Sequence, residues 1–123
     1  MPARVVLFLA LIMLGVLSAN SVAAGSEPET AIADRYVVCS AYFFMAARVK
    51  AVGEFDGYFS AGEYAFNQAV RLIGKRTALD LFNAASTEIN ELIERRWVDF
   101  AKADDRYDVV CADIFRDASS PDR

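Results

Sequence analysis

The sequence predicts an all-α protein, a compact bundle of about four helices in which one disulfide joins the first helix to the last. Apolar residues recur at steps of three and four through most of the chain, which is the spacing of a helix face. No segment shows the strict apolar–polar alternation of a half-buried strand, and no glycine turn joins two β-rich runs. Cys39 and Cys111, the only two cysteines, both lie in apolar segments with this helical spacing.

The first 24 residues match the pattern of a secretory signal peptide. Arg4 supplies the positive charge, residues 5–17 form an apolar run, and small residues at 22–24 precede Gly25. The apolar run is shorter than the roughly 20 residues that a membrane-spanning helix needs. We therefore expect cleavage after Ala24, no stable membrane span in the mature chain, and an exported protein, periplasmic or secreted. The alternative is an uncleaved N-terminal anchor.

The remaining chain is long enough for one small domain, which we assign to residues 25–117, with a frayed tail at 118–123. An exported protein folds in an oxidising compartment, where an even number of cysteines indicates disulfides. We therefore expect an intramolecular bond between Cys39 and Cys111. Two buried free thiols, or a bond between two molecules, are the alternatives.

Start and stop signals predict where each helix lies. Ser26 begins a capping box that opens the first helix, which should end at Gly53. Residues 54–59 are then a connector, and a second capping box at Ser60 opens a helix that ends before Gly74. The third helix should begin at Thr77 and reach about Lys102.

The fourth helix should begin near Asp104 and Asp105. Its buried face is predicted from helical spacing to consist of five residues. These are Tyr107, Val110, Cys111, Ile114 and Phe115.

Charge and composition exclude several function classes. The net charge is −4 and basic residues come at most in pairs, which argues against nucleic acid and anionic membranes as partners. The chain has no histidine, so it lacks the commonest general base and the commonest metal ligand. We therefore expect no enzyme activity, no metal and no cofactor.

Four aspartates near the second cysteine are the remaining candidates for acid–base work or weak cation binding. They are Asp104, Asp105, Asp108 and Asp113. Acidic residues at the start of a helix are also stabilised by the helix dipole, and we favour this structural role.

Aromatic residues are concentrated between positions 42 and 66, and most of them are expected to fill the core of the bundle. Phe55, Tyr58 and Phe59 are the exception because they fall in the predicted connector, where burial is less assured. Trp97 follows two arginines, and tryptophan and arginine dominate binding hot spots. We take Phe55, Tyr58, Phe59 and Trp97 as candidate contacts for a partner or ligand.

The segments around the two cysteines resemble those of small exported helical bacterial proteins of unassigned function. The first segment is Tyr36-x2-Cys39-x-Ala41-Tyr42-Phe43, and the second is Tyr107-x3-Cys111. The resemblance covers these two segments and implies export and a disulfide. It implies no activity and assigns no catalytic residues.

These observations predict a protein that binds another protein in the cell envelope, as an accessory, an inhibitor or an immunity-type factor. A second hypothesis is a carrier that holds a small apolar ligand between helices. A third is a periplasmic chaperone that exposes apolar surface when acid protonates its carboxylates.

Overall fold

A computed structural model describes residues 28–120, and the predicted signal peptide, 1–24, lies outside this range. Four α-helices follow one another, with no strand among the described residues, so the predicted all-α class is confirmed. The helices are α1 (Glu29–Val49), α2 (Phe55–Ile73), α3 (Lys75–Leu92) and α4 (Ala101–Ala118). Short 3₁₀ turns, Val52–Glu54 and Trp97–Asp99, precede α2 and α4.

Helix α1 is the centre of the bundle. It contacts each of the other three helices, and α2 most extensively. Its buried residues lie on several sides of the helix rather than on one stripe, and they include Val37, Cys39, Tyr42, Phe43 and Ala46. A helix that is apolar around most of its circumference must be covered by neighbours on most sides. The other helices are therefore arranged by the need to cover α1.

Small residues allow α1 and α2 to approach closely. The buried residues of α2 are Ala61, Gly62, Ala65 and Ala69. The hydroxyl of Ser40 on α1 donates a buried hydrogen bond to the carbonyl of Gly62 at 2.8 Å. A methyl group on Gly62 would meet the Phe44 ring at 3.0 Å, closer than ordinary van der Waals contact. Glycine at position 62 thus sets both the spacing of the two helices and the place of the Phe44 ring.

The predicted bond between Cys39 and Cys111 is present and ties α1 to α4. Both cysteines are fully buried, their Cα atoms lie 5.5 Å apart, and the bond spans 72 positions of sequence. Next to it, Tyr42 of α1 stacks on Phe100 at a centroid distance of 5.9 Å and packs against Tyr107 of α4. The disulfide therefore lies inside a layer of aromatic packing rather than on the surface.

The predicted buried face of α4 is largely correct. Tyr107, Cys111 and Ile114 are buried, and Phe115 is partly buried against Phe43. Val110 was wrongly included, because its side chain is 56% exposed. The close packing of α4 on α1 at Cys111 turns Val110 toward solvent.

The predicted connector at 54–59 is wrong, because these residues lie almost entirely in α2, which begins at Phe55. Ser60 lies inside that helix and does not cap it. Tertiary contacts explain the difference: Tyr58 packs on Phe43 and Phe115, and Phe59 packs on Phe44. Burying these rings outweighs the local preference of Ser60 for a helix start.

The predicted third helix is also wrong at both ends. It begins at Lys75, so Thr77 is not its cap, and it ends at Leu92 instead of continuing to about Lys102. A helix from 75 to 102 would be about 40 Å long, and α4 would then begin beyond the end of the bundle. The turn after Leu92 brings the chain back, so that Cys111 reaches Cys39.

Within residues 28–120, the helices are too short or too polar for any of them to cross a membrane.

Removing the disulfide should destabilise the domain strongly. For Cys39→Ala/Cys111→Ala we expect the free energy of unfolding to fall by about 4 kcal/mol, because the bond restricts a long loop of the unfolded chain. Urea unfolding of the oxidised protein and the variant measures the difference. Reductant should lower the free energy of unfolding of the wild type and leave that of the variant unchanged. A loss below about 1 kcal/mol would contradict a structural role for the bond.

Candidate functional site

Apart from isolated residues such as Val52 and Leu79, the exposed large apolar side chains of the described surface lie in two areas. One area lies along α1, α3 and the turn that follows α3, and it includes Trp97 (44% exposed) and Val98 (81% exposed). The other is on α4, where Val109 is 85% exposed. The first area is concave and the second is a bare helix face. We therefore take the concave area as the candidate site.

A groove runs between α1 and α3 and is closed at one end by Trp97. Its volume is about 230 Å³. The α1 wall consists of Ala41, Phe44, Met45 and Arg48, and the α3 wall of Phe82, Ser86 and Asn90. A second hollow of about 480 Å³ adjoins it, lined by Arg48, Val49, Trp97 and Val98. We call these two hollows together the Trp97 groove, since Arg48 and Trp97 belong to both.

A row of phenylalanine rings extends the site onto α2. Phe55 stacks on Phe59 at 5.6 Å, Phe59 meets Phe44 edge-on at 5.3 Å, and Phe44 meets Phe82 edge-on at 5.9 Å. Phe55 and Phe59 remain 41% and 40% exposed. Because Phe44 and Phe82 also line the Trp97 groove, this phenylalanine row and the groove form one continuous apolar surface.

The turn that carries Trp97 has an unusual backbone. Glu94 and Arg95 have φ angles of 54° and 59°, in the left-handed region that non-glycine residues seldom occupy. The ion pair between Lys102 and Glu94, at 3.3 Å, and that between Arg96 and Asp99, at 3.4 Å, join the turn to its neighbours. Backbone in such conformations costs free energy and is concentrated at functional positions. The reversal it produces directs Trp97 and Val98 outward, between two buried residues, Ile93 and Phe100.

The charged wall of the groove is basic. Arg48 is the one charged residue among the lining residues, and within residues 28–120 no carboxylate forms an ion pair with it. Arg95, in the adjoining turn, also has no ion pair in this range. The lining of the groove therefore carries a positive charge, whereas the protein as a whole has a net charge of −4.

A polar clasp holds the end of α1 next to the groove. Asp104, in the first turn of α4, accepts hydrogen bonds from the Tyr42 hydroxyl and from the Lys50 ammonium, each at 2.7 Å. The Lys50 ammonium also lies 5.9 Å from the centre of the Phe100 ring. The three polar groups bond to one another, so the clasp fixes the end of α1 against the start of α4.

The clasp changes the proton affinity of two of its members. Burial, and then the hydrogen bond to Asp104, raise the pKa of Tyr42 well above its ordinary value of 10.0. The hydrogen bond to Asp104 raises the pKa of Lys50, and partial burial opposes it. Burial also raises the pKa of Tyr58 and of Tyr107. All four groups hold their protons more tightly in the folded chain.

Three of the four candidate contact residues lie on the same surface. Phe55 and Phe59 belong to the phenylalanine row, and Trp97 closes the groove that the row borders. Tyr58 lies on a different side of α2, where it is partly buried against Phe43 and Phe115. The surface is thus shared by α1, α2, α3 and the turn after α3.

The four aspartates near Cys111 do not come together. Asp104 belongs to the clasp, and Asp113 pairs with Arg116 on the outside of α4 at 2.9 Å. Among residues 28–120, no group of three or more acidic or cysteine side chains is arranged to hold a metal ion. Asp104 lies in the first turn of α4, where a carboxylate is stabilised by the helix dipole, whereas Asp108 and Asp113 lie further along the helix.

Sequence reasoning missed most of the groove. Phe44 and Arg48 are four positions apart on α1, and Phe82, Ser86 and Asn90 follow at steps of four on α3. This spacing places each set on one helix face. The pattern alone does not reveal that the two faces border the same hollow, because that depends on how α3 is placed against α1.

Comparison with known proteins gives no match: no protein-family model, curated protein or solved structure is similar to this chain.

Alkaline pH should unfold the protein partly through the clasp. Groups with a raised folded pKa contribute their full stability below the unfolded pKa and lose it as the pH rises above that value. The free energy of unfolding should therefore fall above about pH 10. In Tyr42→Phe, the free energy of unfolding should decrease less steeply with pH. The slope should be smaller by up to about 1.4 kcal/mol per pH unit, which is the contribution of one proton.

Urea unfolding at intervals from pH 8 to 12 measures this slope. The matched control is Tyr107→Phe, which removes a hydroxyl that lacks the bond to Asp104 and should flatten the slope over a narrower range. An unchanged slope in the Tyr42 variant would contradict the role of the clasp.

Proposed function

We propose that this chain is an exported, non-enzymatic protein that binds another protein of the cell envelope, as an accessory, an inhibitor or an immunity-type factor. The observation that carries the proposal is the continuous apolar surface formed by the Trp97 groove and the phenylalanine row. An exposed apolar surface of this kind, concave and partly aromatic, is typical of protein-binding sites. Tryptophan and arginine, which meet in the groove, are enriched among residues that dominate binding energy.

Export is supported by two features. Residues 1–24 have the charge, apolar run and small residues of a signal peptide. The disulfide between Cys39 and Cys111 is buried in the centre of the bundle, and structural bonds of this kind are formed in oxidising compartments. Together they favour the periplasm or the exterior as the place where the protein acts.

The non-enzymatic part of the proposal rests on the residue types near the groove. Its walls hold aromatic, aliphatic, thioether, amide and hydroxyl groups, with Arg48 as the one charge. The nearby Tyr42, Lys50 and Asp104 bond to one another. Without histidine in the chain, a nucleophile or acid–base pair has few components from which to form.

The shape of the groove favours a protein partner over a small apolar ligand. Ligand pockets usually measure about 300–1,000 Å³ and bury most of the ligand. The narrower hollow measures about 230 Å³, and the wider one is bordered by Val98, which is itself largely exposed. A side chain projecting from a partner surface fits an open hollow of this size better than a free molecule does.

Affinity capture tests the proposal. The oxidised protein, used as bait in an envelope extract of the source organism, should retain one partner in stoichiometric amount. Phe55→Ala/Phe59→Ala should weaken the capture at least about tenfold, the result of losing about 1.4 kcal/mol of binding energy. Val109→Ala removes an exposed apolar side chain on α4 and serves as the matched control.

Thermal unfolding of each bait separates binding from folding. The phenylalanine variant should remain folded, with a melting temperature lowered only modestly by the loss of the contact between Phe59 and Phe44. Equal capture by wild type and variant would contradict the proposal, and a parallel loss of capture and stability would assign Phe55 and Phe59 to the fold. A co-purifying small molecule without a protein partner would favour the carrier hypothesis.

A further inference from the structure

We infer that the Trp97 groove binds an acidic–apolar segment of the partner, in which a large apolar side chain enters the groove and a neighbouring carboxylate pairs with Arg48. This inference rests on the proposed function, because it names the chemistry of the partner that the proposed binding protein would recognise.

The groove is suited to one inserted side chain. Its α1 wall includes Ala41, whose small side chain leaves space beside the larger Phe44 and Met45. Methionine is flexible and polarisable, so Met45 can adjust to the shape of an incoming apolar group. Ser86 and Asn90 on the opposite wall offer a hydroxyl and an amide to the partner's backbone. The combination is an apolar slot with polar groups along one edge.

The positive charge of Arg48 favours a partner segment in which a carboxylate lies next to the inserted apolar side chain. Arg48 lines both hollows and has no ion pair within residues 28–120, while no described carboxylate lines either hollow. A guanidinium binds a carboxylate through two parallel hydrogen bonds, which fixes orientation as well as adding energy. A lysine-bearing segment would meet repulsion at the same place.

The exposed face of α4 on a second copy of this chain could also occupy the groove. The experiment must distinguish this occupant from a different protein. Asp108 precedes the exposed Val109 and Val110, so a second copy of this chain also presents an acidic–apolar segment. Binding of this face to the groove of another copy would produce a reciprocal dimer, a ring or an open chain. The average mass of such an assembly rises with concentration, which sedimentation detects.

Selection from a random display library of 12-residue peptides tests the inference with a defined probe. The oxidised full chain should enrich peptides that carry a large apolar residue within four positions of Asp or Glu. The enriched peptides should change the fluorescence of Trp97, the single tryptophan of the chain. Arg48→Glu should lower the affinity for these peptides at least about tenfold, because a charge-assisted pair is lost. In a selection on this variant, peptides that contain Lys or Arg should be enriched instead.

Trp97→Ala provides a second variant that removes the end wall without altering charge, and it should weaken the same peptides to a similar degree. Arg71→Glu makes the same charge change on the exposed side of α2 and should leave the affinity unchanged. Enrichment of peptides without carboxylates, or no enrichment, would overturn the inference. Peptides that bind the Arg48 and Trp97 variants as tightly as the wild type would overturn it as well. Concentration-dependent self-association of any size that is abolished by Val109→Asp would also overturn it, because the occupant would then be a second copy.

Failure of this inference can be told from failure of the proposed function. If Arg48→Glu captures the envelope partner as well as the wild type does, the protein binds a partner through another surface and the inference alone fails. If no partner is captured from the envelope although acidic–apolar peptides bind the groove, the proposed function fails while the chemistry of the groove stands.

Discussion

The bond between Cys39 and Cys111 is the constraint on which the other contacts depend. It fixes the middle of α1 against the middle of α4, across 72 positions of sequence. The chain must therefore return after α3, which the left-handed residues Glu94 and Arg95 accomplish. The clasp at Asp104 then holds the end of α1 against the start of α4. One covalent bond thus determines where the exposed turn can lie.

The proposed binding surface follows from how α1 is covered. Helices α2 and α4 pack on two sides of α1, α2 through small residues such as Ala61 and Gly62. Helix α3 also contacts α1, but the two helices leave a groove between them near Phe44 and Phe82. The surface is therefore a part of α1 that the bundle covers incompletely, extended by rings of α2. A protein partner would bury this part of α1, and in this way the packing of the fold is connected with its proposed role.

The sequence predicted the class of the fold and the disulfide because both depend on local signals: helical spacing and a single pair of cysteines. It failed where tertiary contacts decide the outcome. Ser60 resembles a helix cap, but the packing of Tyr58 and Phe59 extends α2 past it. Helical spacing continues through Trp97, but the disulfide requires a turn there. Trp97 could be singled out from the sequence because it follows two arginines, and it lines the groove, whereas Arg48 has no local signal that marks it as a groove residue.

The most direct test of the account replaces Trp97 with the photo-crosslinking residue p-benzoylphenylalanine and irradiates cells of the source organism. The same substitution at Val109 is the control, because that side chain is exposed on a different face. We predict a crosslink from position 97 to one envelope protein and none from position 109. A crosslink from position 109 alone, or from neither position, would contradict the claim that the Trp97 groove is the binding surface.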